Sequence, residues 1–171
     1  MSEIISAVSF EETEPTAVTT RPQALKTIVF GGLIAGTMDC LAATINSGLR
    51  GVSFSRVWQY VASGALGKES YNYGWNSVAL GLFFHFLIAF TATTVFYLLS
   101  RWYPVLREKP LLFGPLYGIV VYFFMGYLIV PLSSVAKIPF SISGMIIGIC
   151  IHIVCVGLPI ALITRKFANP S

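Results

Sequence analysis

Residues 76–100 read NSVALGLFFHFLIAFTATTVFYLLS, a run without one Asp, Glu, Lys or Arg and with a single imidazole, His85, inside it. A run this long and apolar meets the roughly 20 residues that an α-helix needs to cross the hydrocarbon core of a bilayer. In that medium an open chain must satisfy its own backbone groups, which a helix does and an extended segment does not. Working outward, residues 25–48, 111–134 and 141–164 are three further segments of the same kind. The composition agrees with them: 56% of the 171 residues are hydrophobic, 11% are charged, and the mean hydropathy is +0.78. A water-soluble domain carries about twice that charge. The links after the second and third segments, RWYPVLREKP and the stretch around AKIPF, are short, and short links force antiparallel neighbours. The expected fold class is therefore all-α: a polytopic membrane protein with four transmembrane helices in an antiparallel bundle.

The first link differs. GVSFSRVWQYVASGALGKESYNYG, residues 51–74, repeats apolar residues at Phe54, Val57, Trp58, Val61, Ala62, Ala65 and Leu66, one face of a helix with Ser53 as its N-cap. It is too short and too polar to span, so the pattern predicts an amphipathic helix lying at the membrane interface between helices 1 and 2. Trp58, Trp75 and Trp102 all fall outside the spans or at their rims, where an aromatic belt is expected.

Residues 1–24 hold four of the seven acidic residues and are broken by Pro15 and Pro22, which predicts a mobile acidic tail. They lack the basic stretch and apolar core of a secretory signal peptide. Residues 25–165 form one transmembrane domain, and 166–171 a short C-terminal tail. Arg21, Lys26, Arg101, Arg107, Lys109, Arg165 and Lys166 fall on one side of the spans, against Arg50, Arg56, Lys68 and Lys137 on the other. By the excess of basic residues in cytoplasmic loops, both termini are cytoplasmic. Basic charge spread over several loops fits anionic headgroups and forms no nucleic-acid stripe, so the expected partner is the lipid bilayer and no nucleic acid. The three cysteines, odd in number and set in apolar segments, form no disulfide framework.

Five residues make the candidate site. Asp39, His85 and His152 are the only ionisable side chains deep in the spans apart from cysteines and tyrosines. An Asp at the centre of a span costs about 2.5–3.5 kcal/mol and must face other helices. Small residues accompany each at helical spacing: Gly32 and Gly36 with Asp39, Gly81 and Ala89 with His85, Gly144 and Gly148 with His152. At about 1.5 Å per residue the three lie roughly 21, 22 and 18 Å from the cytoplasmic ends of their segments, in one layer. Cys40 and Cys155 join that layer, with Tyr122 or Met125 facing it from the third segment. Four readings follow. The trio fixes helix register; it forms a metal or proton pathway from carboxylate, imidazole and thiolate; its two histidines ligate haem b; or it hydrolyses a substrate. Neither a Ser-His-Asp order nor HExxH is present, so no enzyme is expected.

Both histidines follow a glycine by four residues, in GLFFH (81–85) and GICIH (148–152). The segment before each opens similarly, FGGLIAG (30–36) and FGPLYG (113–118), as two copies of one hairpin would. GLFFH, YLLSRWYP, FGPLYG, MGYLIVPL and, more loosely, GLIAGTMD resemble the YagU-like family of bacterial inner-membrane proteins over about two thirds of the chain. The resemblance implies a four-helix protein of the bacterial inner membrane and brings no activity, cofactor or site residue with it. The expectation from sequence is a small structural or accessory membrane protein, without a cofactor, that self-associates through its glycine-rich helix faces. The alternatives are a small permease or ion pathway using the Asp39, His85 and His152 layer, and a bis-histidine haem b protein.

Overall fold

The computed structural model describes residues 21–136 and 139–168, and all regular structure among them is helical. Four helices are long and apolar enough to cross a membrane: α1 (Arg21–Gly48), α3 (Gly74–Trp102), α5 (Pro110–Leu132) and α6, which runs from Ile142 to Ala168. Between α1 and α3 lies α2 (Phe54–Leu66), and a single turn, α4 (Val105–Glu108), precedes α5. Local chemistry sets the ends. Pro104 follows α3, Pro110 opens α5 at a position that needs no backbone donor, and Ser141 caps α6 by accepting from the Gly144 amide at 3.3 Å. Gly67 and Gly74, at φ 60° and 55°, turn the chain out of α2 and into α3 through a 3₁₀ segment.

The spans form an open row in the order α3, α1, α6, α5, each antiparallel to its neighbour. Glycines set the close approaches. On α1, Gly31 faces the Thr93 side chain of α3 and Gly36 faces the Phe86 ring and Ala89. Gly114 and Gly118 of α5 cross Gly157 of α6 backbone to backbone, with the position of a Cβ on Gly157 only 2.8 Å from the Gly118 Cα. These small-residue faces, expected to serve self-association, are occupied inside the chain. The two outer members of the row, α3 and α5, scarcely pack; Tyr117 of α5 reaches across to donate to the Ala92 carbonyl at 2.7 Å and to tilt against Phe96.

α5 and α6 are not uniformly α-helical. Met125–Ile129 and His152–Gly157 are π-helical, with the Val130 amide donating to Met125 O and the Leu158 amide to Ile153 O. Each widened stretch ends two residues before a proline, Pro131 or Pro159. A proline ring collides with the carbonyl one turn back and offers it no donor, and a wider turn relieves that collision.

Some expectations need correction. Arg21–Ala24 belong to α1 and Lys166–Ala168 to α6, so the helices run a few residues past 25–165 at both ends. The acidic tail otherwise lies outside the described residues, as do Lys137 and residues 169–171. α2 exists where expected but is not laid flat on the outside. Trp58, assigned to the aromatic belt, is 1% exposed, whereas Trp75 and Trp102 are 73% and 76% exposed as rim residues are. The buried face of α2 is Trp58, Gln59, Ala62 and Ser63; Phe54 and Leu66, which the apolar stripe groups with Trp58 and Ala62, are exposed. The reason is Gly81, which lets the Trp58 carbonyl rest directly on α3. A face that mixes Trp and Ala with Gln and Ser suits contact with protein, while the apolar remainder suits lipid.

Candidate functional site

Asp39 on α1, His85 on α3 and His152 on α6 lie at one depth. Counted from the ends of the helices on the α2 side, they sit about 14, 16 and 15 Å inward. All three line a single cavity of about 120 Å³ together with Val61 of α2, Ile88 of α3 and Met125 of α5. The layer inferred from helical spacing is thus a chamber wall built from all four spans and roofed by α2.

His85 is the most constrained member. Its Nε2 donates to the Gly36 carbonyl of α1 at 2.8 Å, while its Nδ1 lies 3.9 Å from Asp39 Oδ2, beyond hydrogen-bond distance. Nε2 thus carries a proton, and Nδ1 faces the carboxylate without a hydrogen bond to it. Trp58 stands edge-on to the ring with centroids 5.1 Å apart, and Phe86 closes another side at 5.4 Å. His85 and Asp39 side chains retain 13% and 17% exposure, and both residues line the chamber. His152 differs: its Nδ1 lies 2.9 Å from the Gly148 carbonyl of its own helix, a contact that takes the Nδ1 proton and leaves Nε2 as an acceptor. Tyr122 is edge-on to it at 5.4 Å.

The paired GxxxH sequences now have a physical reading. Gly81 admits the backbone of Trp58 and Gly148 admits the ring of Tyr122, and each of those aromatic residues stands edge-on to the histidine four residues on. The two hairpins correspond in this respect. They part company at the hydrogen bond, which crosses between helices for His85 and stays within one helix for His152, and at the π-helical stretches, which only the second hairpin carries.

Cys40 and Cys155 are half-buried free thiols that do not line the chamber. Cys40 follows Asp39 directly and so points about a quarter-turn away. Cys155 sits in the π-helical turn, whose extra width takes it off the face that an α-helical i, i+3 pair with His152 would share. Among the described residues no three His, Cys, Asp or Glu side chains stand close enough to hold a metal ion. Haem ligation fits no better. Nε2 of His85 is committed to the Gly36 carbonyl, and a chamber of about 120 Å³ is well below the roughly 300–1,000 Å³ of sites that enclose a sizeable cofactor. Sequence reasoning missed the two α2 contributions, Trp58 against His85 and Val61 in the wall. The signal was present in the apolar stripe of 54–66, which contains both residues but does not say what the stripe covers.

Comparison of the chain with protein-family models, with curated proteins and with solved structures returns no match.

A double-mutant cycle reports on the pair. His85→Ala removes the bond to Gly36 and the ring packed by Trp58, and is expected to lower stability in detergent by about 2–3 kcal/mol. Asp39→Asn, lacking a direct bond to lose, should cost less than about 1 kcal/mol. The coupling between them, read from denaturant or thermal unfolding, should be non-zero but below about 1 kcal/mol, since 3.9 Å is a contact and no hydrogen bond. A coupling of several kcal/mol would mean that the carboxylate and the ring close up in solution.

Proposed function

We propose that the chain is a multi-pass protein of the bacterial inner membrane, similar to the YagU-like family, that acts without catalysis as an accessory membrane protein built around the small chamber lined by Asp39, His85 and His152. The observation that carries this reading is the chamber's surroundings. On one side α2 covers it, tied to the end of α5 by the Ser134 amide donating to Gly64 O at 3.0 Å. On the side of the termini the space below is filled by Phe96, Val156, Ile160 and Ala161, all buried. Such packing covers the chamber at both ends and offers ions no continuous wet path. Reconstituted into liposomes under a pH gradient, the protein should pass protons no faster than empty vesicles. A flux that disappears in Asp39→Asn would replace this reading with that of a proton pathway. The π-helical stretches at Met125 and His152, both in the chamber wall, favour that second reading, because such stretches recur where helices shift during function.

Four crossings put both termini on one side, and the basic excess supports the cytoplasm as that side. An engineered thiol at Glu69→Cys, exposed beside α2, should react with a membrane-impermeant reagent added to intact cells, and one at Glu108→Cys only after lysis. Ser70, next to the first position, is fully buried and unsuitable. The reverse labelling pattern would invert the topology.

A further inference from the structure

The wall of the chamber is chemically one-sided. Asp39, His85 and His152 are the only residues lining it with polar side chains. His85 spends its Nε2 proton on the Gly36 carbonyl, so the neutral ring turns the lone pair of Nδ1 toward Asp39. The Asp39 carboxylate stands 3.9 Å from that Nδ1, a contact that becomes an ion pair only when the ring takes a second proton. His152 spends its Nδ1 proton on the Gly148 carbonyl and keeps an acceptor at Nε2. Each of the three residues thus contributes an acceptor, and none has a donor left over. The other elements add no titratable group to the wall: α2 brings Val61, and α5 brings Val121 and Met125. Tyr122 of α5 stands edge-on to His152, and Cys40 and Cys155 lie off the wall.

We infer that the chamber binds a small cluster of water together with one exchangeable proton, which Asp39, His85 and His152 share through that water. Volume, polarity and spacing each select this occupant. At about 30 Å³ per molecule, a space of about 120 Å³ takes roughly four waters. An apolar cavity of about 150 Å³ stays dry, but a carboxylate and two imidazoles supply the two to four polar partners that a held water needs. The 3.9 Å between Asp39 and His85 is too long for a direct bond and short enough for one water to touch both. The proton follows from the same inventory. Water alone would leave a carboxylate inside the membrane beside a neutral ring, with no positive charge to offset it. A proton passed from a hydronium ion to Nδ1 of His85 forms one N–H bond, releases a water and supplies both the missing charge and the missing donor. The water cluster then extends that donor to Nε2 of His152.

The site rests on the reading of a chamber covered at both ends, where water and proton are held and not passed on. The test uses full-length protein purified in mild detergent with Trp75→Phe and Trp102→Phe, leaving Trp58, which contacts His85, as the one tryptophan. Its emission should change in a single transition between about pH 8 and about pH 5, the range in which imidazoles titrate. His85→Gln, whose amide can keep the bond to Gly36, should abolish the change. Asp39→Asn removes the facing charge and should weaken proton binding about tenfold. His152→Leu, on a different helix from both Trp58 and His85, should still weaken it about threefold, because the shared network loses an acceptor. Circular dichroism checks that each variant stays helical. Radiolytic labelling in ¹⁸O-labelled water should mark His85 and His152 while sparing Phe96, which is buried in the dry core. A transition unmoved by His152→Leu, or histidines labelled no faster than Phe96, would overturn the inference. So would a transition that follows ammonium chloride and ignores sodium chloride, since ammonium would then be the occupant. Proton flux in liposomes that disappears in Asp39→Asn, alongside the expected titration and labelling, would remove only the accessory-protein reading and leave the site standing.

Discussion

Gly157→Ala is expected to lower the thermal midpoint of the purified protein by about 4–8 °C. An alanine is ordinarily the better helix former, by about 1 kcal/mol, so the substitution begins with an advantage. That advantage is outweighed because the new methyl has nowhere to go. Its Cβ would overlap the Gly114 carbonyl and stand 2.8 Å from the Gly118 Cα, and all of these neighbours are backbone. A flexible side chain gives way at little cost, but here α5 and α6 themselves have to separate, which places the penalty near the upper end of the usual 1–3 kcal/mol for overpacking. The net loss is about 2 kcal/mol. Gly126→Ala supplies the control, since a Cβ on Gly126 meets nothing within 4 Å, and should raise stability by about 1 kcal/mol through helix propensity alone. If both variants shift the midpoint upward, the glycine crossing of α5 and α6 is looser than this packing requires.

The contrast between these glycines shows what the sequence could and could not convey. Four spans were legible because a bilayer imposes a length and a polarity that the runs at 25–48, 76–100, 111–134 and 141–164 meet on their own. The shared depth of Asp39, His85 and His152 was legible for a related reason, since helical rise converts sequence distance into height. Height says nothing of azimuth or of neighbours. FGPLYG announced a helix contact without naming Gly157 as its partner, and Cys155 looked equivalent to His152 until a π-helical turn moved it aside. The strongest bond of His85 goes to a backbone carbonyl, Gly36 O, which every residue possesses and which no side-chain pattern can reveal. The openness between α3 and α5 was equally hidden: it depends on which pairs of helices fail to pack, and four similar apolar runs give no hint of the order in the row.

α2 carries the second large effect. In Gly81→Leu the new side chain would occupy the place of the Trp58 carbonyl, and because the conflict is with backbone, the whole of α2 has to lift. Little else needs to move. The contacts of α1 with α3 at Gly31 and Gly36, and of α5 with α6 at Gly114 and Gly157, lie elsewhere, so the four spans should remain folded and the midpoint should change less than in Gly157→Ala. Once lifted, α2 loses the seat of Trp58 on His85 and the weak tether of Gln59 Nε2 to Gly74 O at 3.3 Å. The buried Trp58 Nε1 has no hydrogen-bond partner among the described residues, and release would relieve that cost and favour the lifted state. The chamber would then open toward the α2 side. With Cys40, Cys150 and Cys155 replaced by alanine, a reporter thiol at Val61→Cys in the chamber roof should react with an impermeant maleimide about tenfold faster in Gly81→Leu than with Gly81 intact. Equal rates would show that α2 already opens freely, and that the Asp39, His85 and His152 layer is reached from the α2 side without any change in the roof.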